Sequence, residues 1–273
     1  GLVVCFALAT VYLLSVRTVR KESDMKQITS ARCISCIPEV VPKKRSNNKK
    51  LKLLITNKRI DWGFKQSMLM IQSRLQQIMR RTGDKVLLIT STIPAEGKTM
   101  TAVNMALAFA QEGMKVALLD GDLRKPSVCQ LMKLPEGPGL TEYFRGESTP
   151  EEIQVVKDGV TFFRAGQKKG KVSGLIDEEK MNSLLEKLRK EYDVILMDAA
   201  PSYVFSDAMI LSSYADKVLY VVRVDKADAK AIQVGMNSFE EKEKLIGYVI
   251  NRDTGGYISQ SRYGYGRYGK YQK

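Results

Sequence analysis

The sequence predicts an α/β fold of three layers, with helices on both faces of a mainly parallel sheet. Three observations carry this reading. Short apolar runs of strand type recur at residues 85–90, 115–120, 193–198, 217–223 and 245–251. Stretches of helical period separate them at residues 178–190, 207–214 and 226–244. The loop after the first run ends Gly97-Lys98-Thr99, ahead of a helical stretch to Glu112 with Gly113 as its stop.

In chain order, residues 1–16 come first. They carry no charge and are rich in Leu, Val, Phe and Ala. As a helix they would span about 24 Å, short of the roughly 20 residues that cross a bilayer core. They are expected to be the C-terminal part of a transmembrane helix. A signal peptide would carry its positive charge before the apolar run, whereas Arg17, Arg20 and Lys21 follow it. That order places the rest of the chain in the cytoplasm, at the cell membrane.

Residues 17–60 hold thirteen Lys/Arg against three Asp/Glu and read as a basic juxtamembrane segment and linker, attracted to anionic lipid. The densest part, residues 42–50, is too polar and cationic to bury. Cys33-Ile-Ser-Cys36 lies in the same segment. A CxxC is a redox pair, half of a zinc site, or two unconnected reduced thiols. The last is expected, because the chain has no second CxxC and no histidine to complete a site. The absence of histidine also excludes Ser-His-Asp and Cys-His hydrolases. Residues 62–80 follow, with Phe64, Met68, Ile71, Leu75 and Ile78 at helical spacing and a basic end at Arg80-Arg81.

The folded body is expected over residues 61–253, where 27 basic and 27 acidic residues balance. The net charge of +14 therefore belongs to the flanks, and nucleic acid is not expected as a partner. A strand, a loop ending Gly-Lys-Thr and a helix form the setting of a P-loop, whose backbone N–H groups surround phosphate oxygens. The ATP-phosphate-binding residues are then Ile93, Pro94, Ala95, Glu96, Gly97, Lys98, Thr99 and Met100. Lys98 reaches the β- and γ-phosphates, and the Thr99 hydroxyl ligates Mg²⁺. Thr92 stands where the motif begins with Gly.

Two further apolar runs end in carboxylates, one in Asp120-Gly-Asp122 and the other in Asp198-Ala-Ala-Pro201. Parallel strands present their C-terminal ends on one edge, where ligands bind. Asp120, Asp122 and Asp198 are thus expected beside the P-loop, holding the metal and accepting a proton. Asn251, at the end of the last run, reads equally as a base contact and as a turn residue. Residues 254–273 carry Tyr257, Tyr263, Tyr265, Tyr268 and Tyr271 among five glycines. They cannot bury enough surface to fold and read as a flexible tail. Its tyrosines are substrates or, less consistently with an ATP site on the same chain, an RNA-binding stretch.

With these motifs in place, the chain resembles the bacterial tyrosine kinases of capsular and exopolysaccharide biosynthesis. Residues 92–99 match their Walker A, Val116 to Pro126 their Asp-x-Asp-x-Arg Walker A′, and Val194 to Asp198 their Walker B. The tyrosine cluster matches as well. Residues 1–40 look like the end of the chain-length-determinant module that accompanies the kinase. The resemblance implies a P-loop NTPase fold and a Mg²⁺- and ATP-dependent protein-tyrosine kinase. Its targets would be the five tail tyrosines of a neighbouring subunit in a homo-oligomer. Carried over by position, Lys98, Asp120, Asp122 and Asp198 are catalytic. Thr99, Asp122 and Asp198 hold the metal, and Asp120 is the candidate proton acceptor. The polysaccharide export or polymerisation machinery and a tyrosine phosphatase are the implied partners. The family's Glu-x-x-Arg-x-x-Arg ring motif is absent before the P-loop, and Ala-Ala-Pro follows Asp198 where Thr-Pro-Pro is common. The alternatives are a partitioning-type ATPase, whose extra P-loop lysine has no counterpart at Ser91 to Ile93, and a chain-length regulator with a non-kinase ATPase domain.

Overall fold

A computed structural model describes residues 1, 17–40, 53–167, 174–240 and 243–254. The expected span (Gly1 apart), the 42–50 basic run and the five tail tyrosines lie outside the described residues. Among the described residues no helix is long and apolar enough to cross a membrane.

The elements in chain order are α1 (Glu22–Met25), β1 (Cys33–Pro38), α2 (Trp62–Thr82), β2 (Val86–Ser91), α3 (Lys98–Gln111), β3 (Val116–Asp120), α4 (Val128–Met132), α5 (Leu140–Arg145), β4 (Gln154–Lys157), β5 (Val160–Phe163), α6 (Glu178–Glu191), β6 (Val194–Asp198), α7 (Asp207–Tyr214), β7 (Lys217–Arg223), α8 (Ala229–Glu240) and β8 (Leu245–Asp253). The strands form one sheet in the order β1-β8-β7-β2-β6-β3-β5-β4. Every pairing is parallel except β4 with β5.

The central strands read as continuous apolar runs because both of their faces are covered. Val86 and Leu88 of β2 face one layer with Leu184 and Leu188 of α6, Leu211 of α7, and Met236 and Phe239 of α8. Leu87 and Ile89 face the other, with Phe64, Met68, Ile71 and Leu75 of α2 and the apolar face of α3. Asp61 caps α2 by accepting from the Gly63 N–H at 2.8 Å, and Gly83, at φ 76°, ends it. Asp216 fixes the start of β2. Its Oδ2 accepts from the N–H groups of Lys85 and Val86, both at 2.8 Å, while Arg189 grips the carboxylate with two nitrogens.

The structure departs from the sequence reading at both ends of the sheet. Cys33–Pro38, expected within the linker, is an edge strand that pairs with β8. The chain before it is folded too. Val19 and Met25 are buried, the Arg17 carbonyl accepts from the Ala229 N–H at 2.7 Å, and Thr18 donates to Asp225 at 2.9 Å. The folded body therefore includes residues 17–40. At the other edge β4 and β5 form a hairpin turned by Asp158-Gly159, at φ 49° and 79°. Such an Asp-Gly pair is a hairpin signal, and the two strands it joins have only four residues each.

Ile34, 1% exposed in the edge strand, tests the revised boundary. Ile34→Ala should lower the unfolding free energy of the full chain by about 2–4 kcal/mol, read from urea unfolding by circular dichroism. A linker residue would move it by no more than about 0.5 kcal/mol.

Candidate active site

The site forms where β2, β3 and β6 end. Register puts Asp198 beside Ile89 on one side and beside Asp120 on the other, so the two carboxylates leave neighbouring strands at the same level. Ile93 to Gly97 form the loop between β2 and α3, and Lys98, Thr99 and Met100 open α3. Lys98 Nζ donates to Asp122 Oδ2 at 2.6 Å and stands 3.6 Å from Asp198 Oδ1. The Thr99 hydroxyl donates to Asp198 Oδ2 at 2.6 Å, and Ser127 Oγ donates to the Thr99 oxygen at 3.1 Å. Asp120 Oδ2 accepts from the Val128 N–H at 3.1 Å, and Asp122 Oδ1 from the Lys125 N–H at 3.0 Å. The structure thus gathers Lys98, Thr99, Asp120, Asp122 and Asp198 into one cluster.

All of these side chains except Thr99 are buried, and three carboxylates share one ammonium. Burial, then the charge of Asp198, holds the Asp120 carboxyl well above the usual carboxylate range. Burial raises Asp198 as well, against the pull of Lys98. Burial would lower Lys98, but Asp198 and Asp122 outweigh it and raise its pKa. Asp120 Oδ1 and Asp198 Oδ1 are buried without a hydrogen-bond partner. The unsatisfied Asp198 oxygen, with the Thr99 hydroxyl and Asp122 beside it in an excess of negative charge, suits a hard divalent cation, which takes oxygen ligands. The residues present therefore fit Mg²⁺.

The phosphate loop is held by residues remote in sequence. Asn251 Nδ2 donates to the Glu96 carbonyl at 2.7 Å, and Arg223 donates to the Ala95 carbonyl at 3.0 Å. The Tyr220 hydroxyl donates to Thr92 Oγ1 at 3.2 Å. Asn251 therefore serves the loop backbone. Gly97 is required twice over. Its φ is 99°, and a Cβ there would stand 2.1 Å from Asn251 Nδ2. The Glu96 side chain folds back onto the loop, accepting from the N–H groups of Ile93 at 2.8 Å and Arg223 at 3.3 Å. Beside the cluster, Arg124 makes a two-nitrogen ion pair with Asp207, and its guanidinium lies 4.5 Å above the Phe205 ring centroid. The sequence reading missed Tyr220, Arg223 and Asp207, none of which belongs to a spaced motif with the P-loop, whereas Arg124 is the arginine of the Asp-x-Asp-x-Arg run.

Comparison with known proteins adds four findings. The family model of the NUBPL iron-transfer P-loop NTPases matches residues 83–232. The tyrosine-protein kinase CpsD of Streptococcus pneumoniae is 33% identical over 206 residues, which cover 70% of this chain and 86% of CpsD. The tyrosine-protein kinase etk of Escherichia coli is 28% identical over 194 residues, and the match spans only 27% of that longer protein. The solved kinase domain of the same enzyme superposes with a TM-score of 0.77, covering 88% of this chain and 98% of that one at 24% identity, which shows the shared fold.

Burial pushes the Glu96 carboxyl up to about 7, against the N–H groups of Ile93 and Arg223 that pull it down. A carboxyl raised on folding stabilises the protein fully below its unfolded value of 4.5, and the contribution is lost as pH rises through about 7. The stability of the wild type relative to Glu96→Gln should therefore fall by about 2–3 kcal/mol between pH 5 and pH 8. Urea unfolding of both proteins at the two pH values measures it. A pH-independent difference would mean that Glu96 does not titrate in this range.

Proposed function

Since the chain belongs to the bacterial tyrosine-kinase family and is a protein-tyrosine kinase, we propose that its substrates are Tyr257, Tyr263, Tyr265, Tyr268 and Tyr271 of a neighbouring subunit's tail. In this reading the kinase uses Mg²⁺ and ATP, sits with its catalytic domain in the cytoplasm at the cell membrane, and regulates capsular or exopolysaccharide synthesis or export. The polysaccharide machinery and a tyrosine phosphatase that resets the tail are its partners. The observation that carries the proposal is the cluster of one lysine, one threonine and three aspartates at the end of three parallel strands, beside Asn251 of β8, which leads into the tail.

Each residue then has a task. Backbone N–H groups of the loop and the first turn of α3 bind the phosphate oxygens. The Lys98 ammonium neutralises the transferred phosphate, exchanging Asp122 for a phosphate oxygen as its anionic partner. Thr99, Asp122 and Asp198 are the metal-holding set. Mg²⁺, when bound, offsets the charge of the β- and γ-phosphates. The phenolic oxygen of the tyrosine bonds to the γ-phosphorus as the bond to the β–γ bridging oxygen breaks, and ADP leaves. The phenolic proton passes to Asp120. Both oxygens of Asp122 are engaged, by Lys98 and by the Lys125 N–H, whereas Asp120 keeps one free. That difference favours Asp120 as the acceptor.

The test mixes two variants. Lys98→Met carries an intact tail but no phosphate-binding charge, and the five-tyrosine-to-Phe variant carries an intact site but no acceptor. Each alone should yield no tail phosphotyrosine with Mg²⁺ and ATP, and the mixture should yield it on the Lys98→Met chain. Phosphotyrosine on Lys98→Met alone would remove Lys98 from the chemistry. A silent mixture, alongside an active wild type, would mean that each site serves its own tail.

A further inference from the structure

Cys33 and Cys36 take no part in phosphoryl transfer, and a regular strand would turn residues three apart to opposite faces. Here they share one face. Between Cys33 and Ser35 strand β1 advances two residues while β8 advances one, from Tyr248 to Val249, so Ile34 is an extra, bulged residue. Cys36 then stands beside Ile250, two residues along β8 from Tyr248, the neighbour of Cys33. Both cysteines meet the layer that holds Met25, while Ile34 and Ile37 meet the other. Glu22, the first residue of α1, completes the group: its carboxylate and the two sulfurs all lie within 4.8 Å of one another. The turn carrying Glu22 is anchored by the buried Met25 and by Asp24, which accepts from the N–H groups of Arg20 and Lys21 at 2.9 and 3.1 Å. Glu22, Cys33 and Cys36 line a depression at the free edge of the sheet together with Ser35 and Arg74.

We infer that Glu22, Cys33 and Cys36 form a site for a thiophilic divalent cation, Zn²⁺ in the first place, which clips α1 to the edge strand. Tetrahedral Zn²⁺ with bonds of about 2.3 Å to sulfur sets two sulfurs roughly 3.8 Å apart, a spacing compatible with ligand atoms that all lie within 4.8 Å of one another. Two thiolates and a carboxylate bring three negative charges. Zn²⁺ offsets two of them, and the Arg74 guanidinium lines the same depression. Without a cation the same crowding opposes ionisation: the hydrogen bond with Cys33, then burial and neighbouring negative charge, push the Cys36 thiol up. Loading releases the thiol protons to solvent. Three protein ligands leave the fourth position to water or another small donor. The sulfur-bearing set also separates this site from the nucleotide edge, whose oxygen ligands suit Mg²⁺. The carboxylate supplies the partner that neither a second CxxC nor a histidine provides.

Co²⁺ is the probe, because its thiolate charge-transfer band in the near ultraviolet reports sulfur ligation directly. The reduced full chain, without nucleotide, should take up one Co²⁺ with that band, and Zn²⁺ should displace it. Cys33→Ser/Cys36→Ser should lose the band, and Cys5→Ser/Cys129→Ser should keep it. Glu22→Gln, a near-isosteric change that leaves both sulfurs in place, should keep the band with affinity lowered at least about tenfold. Zn²⁺ should raise the unfolding temperature of the wild type and leave that of the double Cys33/Cys36 variant unchanged. The proposal is overturned if the wild type shows no thiolate band, if Glu22→Gln binds as tightly as wild type, or if Cys33 and Cys36 prove to be a disulfide whose reduction creates no Zn²⁺ affinity.

Discussion

One buried ammonium has to hold three buried carboxylates together. Lys98 is the cation that the structure shows among Asp120, Asp122 and Asp198, and all four side chains are nearly or fully out of water. An unpaired charge in such surroundings would cost several kcal/mol, so the arrangement stands only while Lys98 is shared and part of the negative charge is quenched by protons. That imbalance is also what makes the edge a receptor. In the proposed reading a nucleotide would bring phosphate to the lysine, and a divalent cation would answer the surplus of carboxylates. Each supplies what the other ligand's arrival would otherwise leave unmatched.

The cluster keeps its geometry because the sheet enforces it. Asp120 and Asp198 are register partners on adjacent parallel strands, so their spacing is set by the ladder rather than by side-chain choice. The phosphate loop is restrained from the opposite side by Arg223 and Asn251, at the ends of β7 and β8. The last strand in the chain therefore holds the phosphate loop through Asn251, and the edge strand β1 pairs along its other side. Packing at the far end of the sheet and order at the P-loop are consequently one problem. A loss of β1 would expose the outer edge of the strand that holds the Glu96 carbonyl.

The centre of the fold was legible in the sequence because strands covered on both faces read as unbroken apolar runs, and two of those runs end in the clustered carboxylates. Asp120, Asp122, Asp198 and the P-loop are local motifs, and the structure brings them together as their spacing implied. The edges were not legible. β1 has only Ile34 and Ile37 as aliphatic residues and sits in a cationic stretch, so its composition hid a strand whose burial comes from α2 and β8. Asn251 and Arg223 act on the P-loop across more than a hundred residues, and no spacing rule connects them. Glu22 was equally hidden as a neighbour of the CxxC, since the bulge at Ile34 that aligns the two sulfurs depends on pairing with β8.

β8 ends at Asp253 on the same side of the sheet as the phosphate loop, and the tail departs from there. A chain reaches at most about 3.6 Å per residue, so Tyr257 can lie no more than about 14 Å from Asp253, whereas Tyr271 can lie as far as about 65 Å. Covalent reach from Asp253 thus sets a different outer limit for each of the five tyrosines. Which of them a given site could meet is then bounded by covalent reach as much as by the residues flanking each tyrosine. A site fed by its neighbour would meet Tyr271 across the widest gap between subunits, and Tyr257 only where two catalytic edges come close.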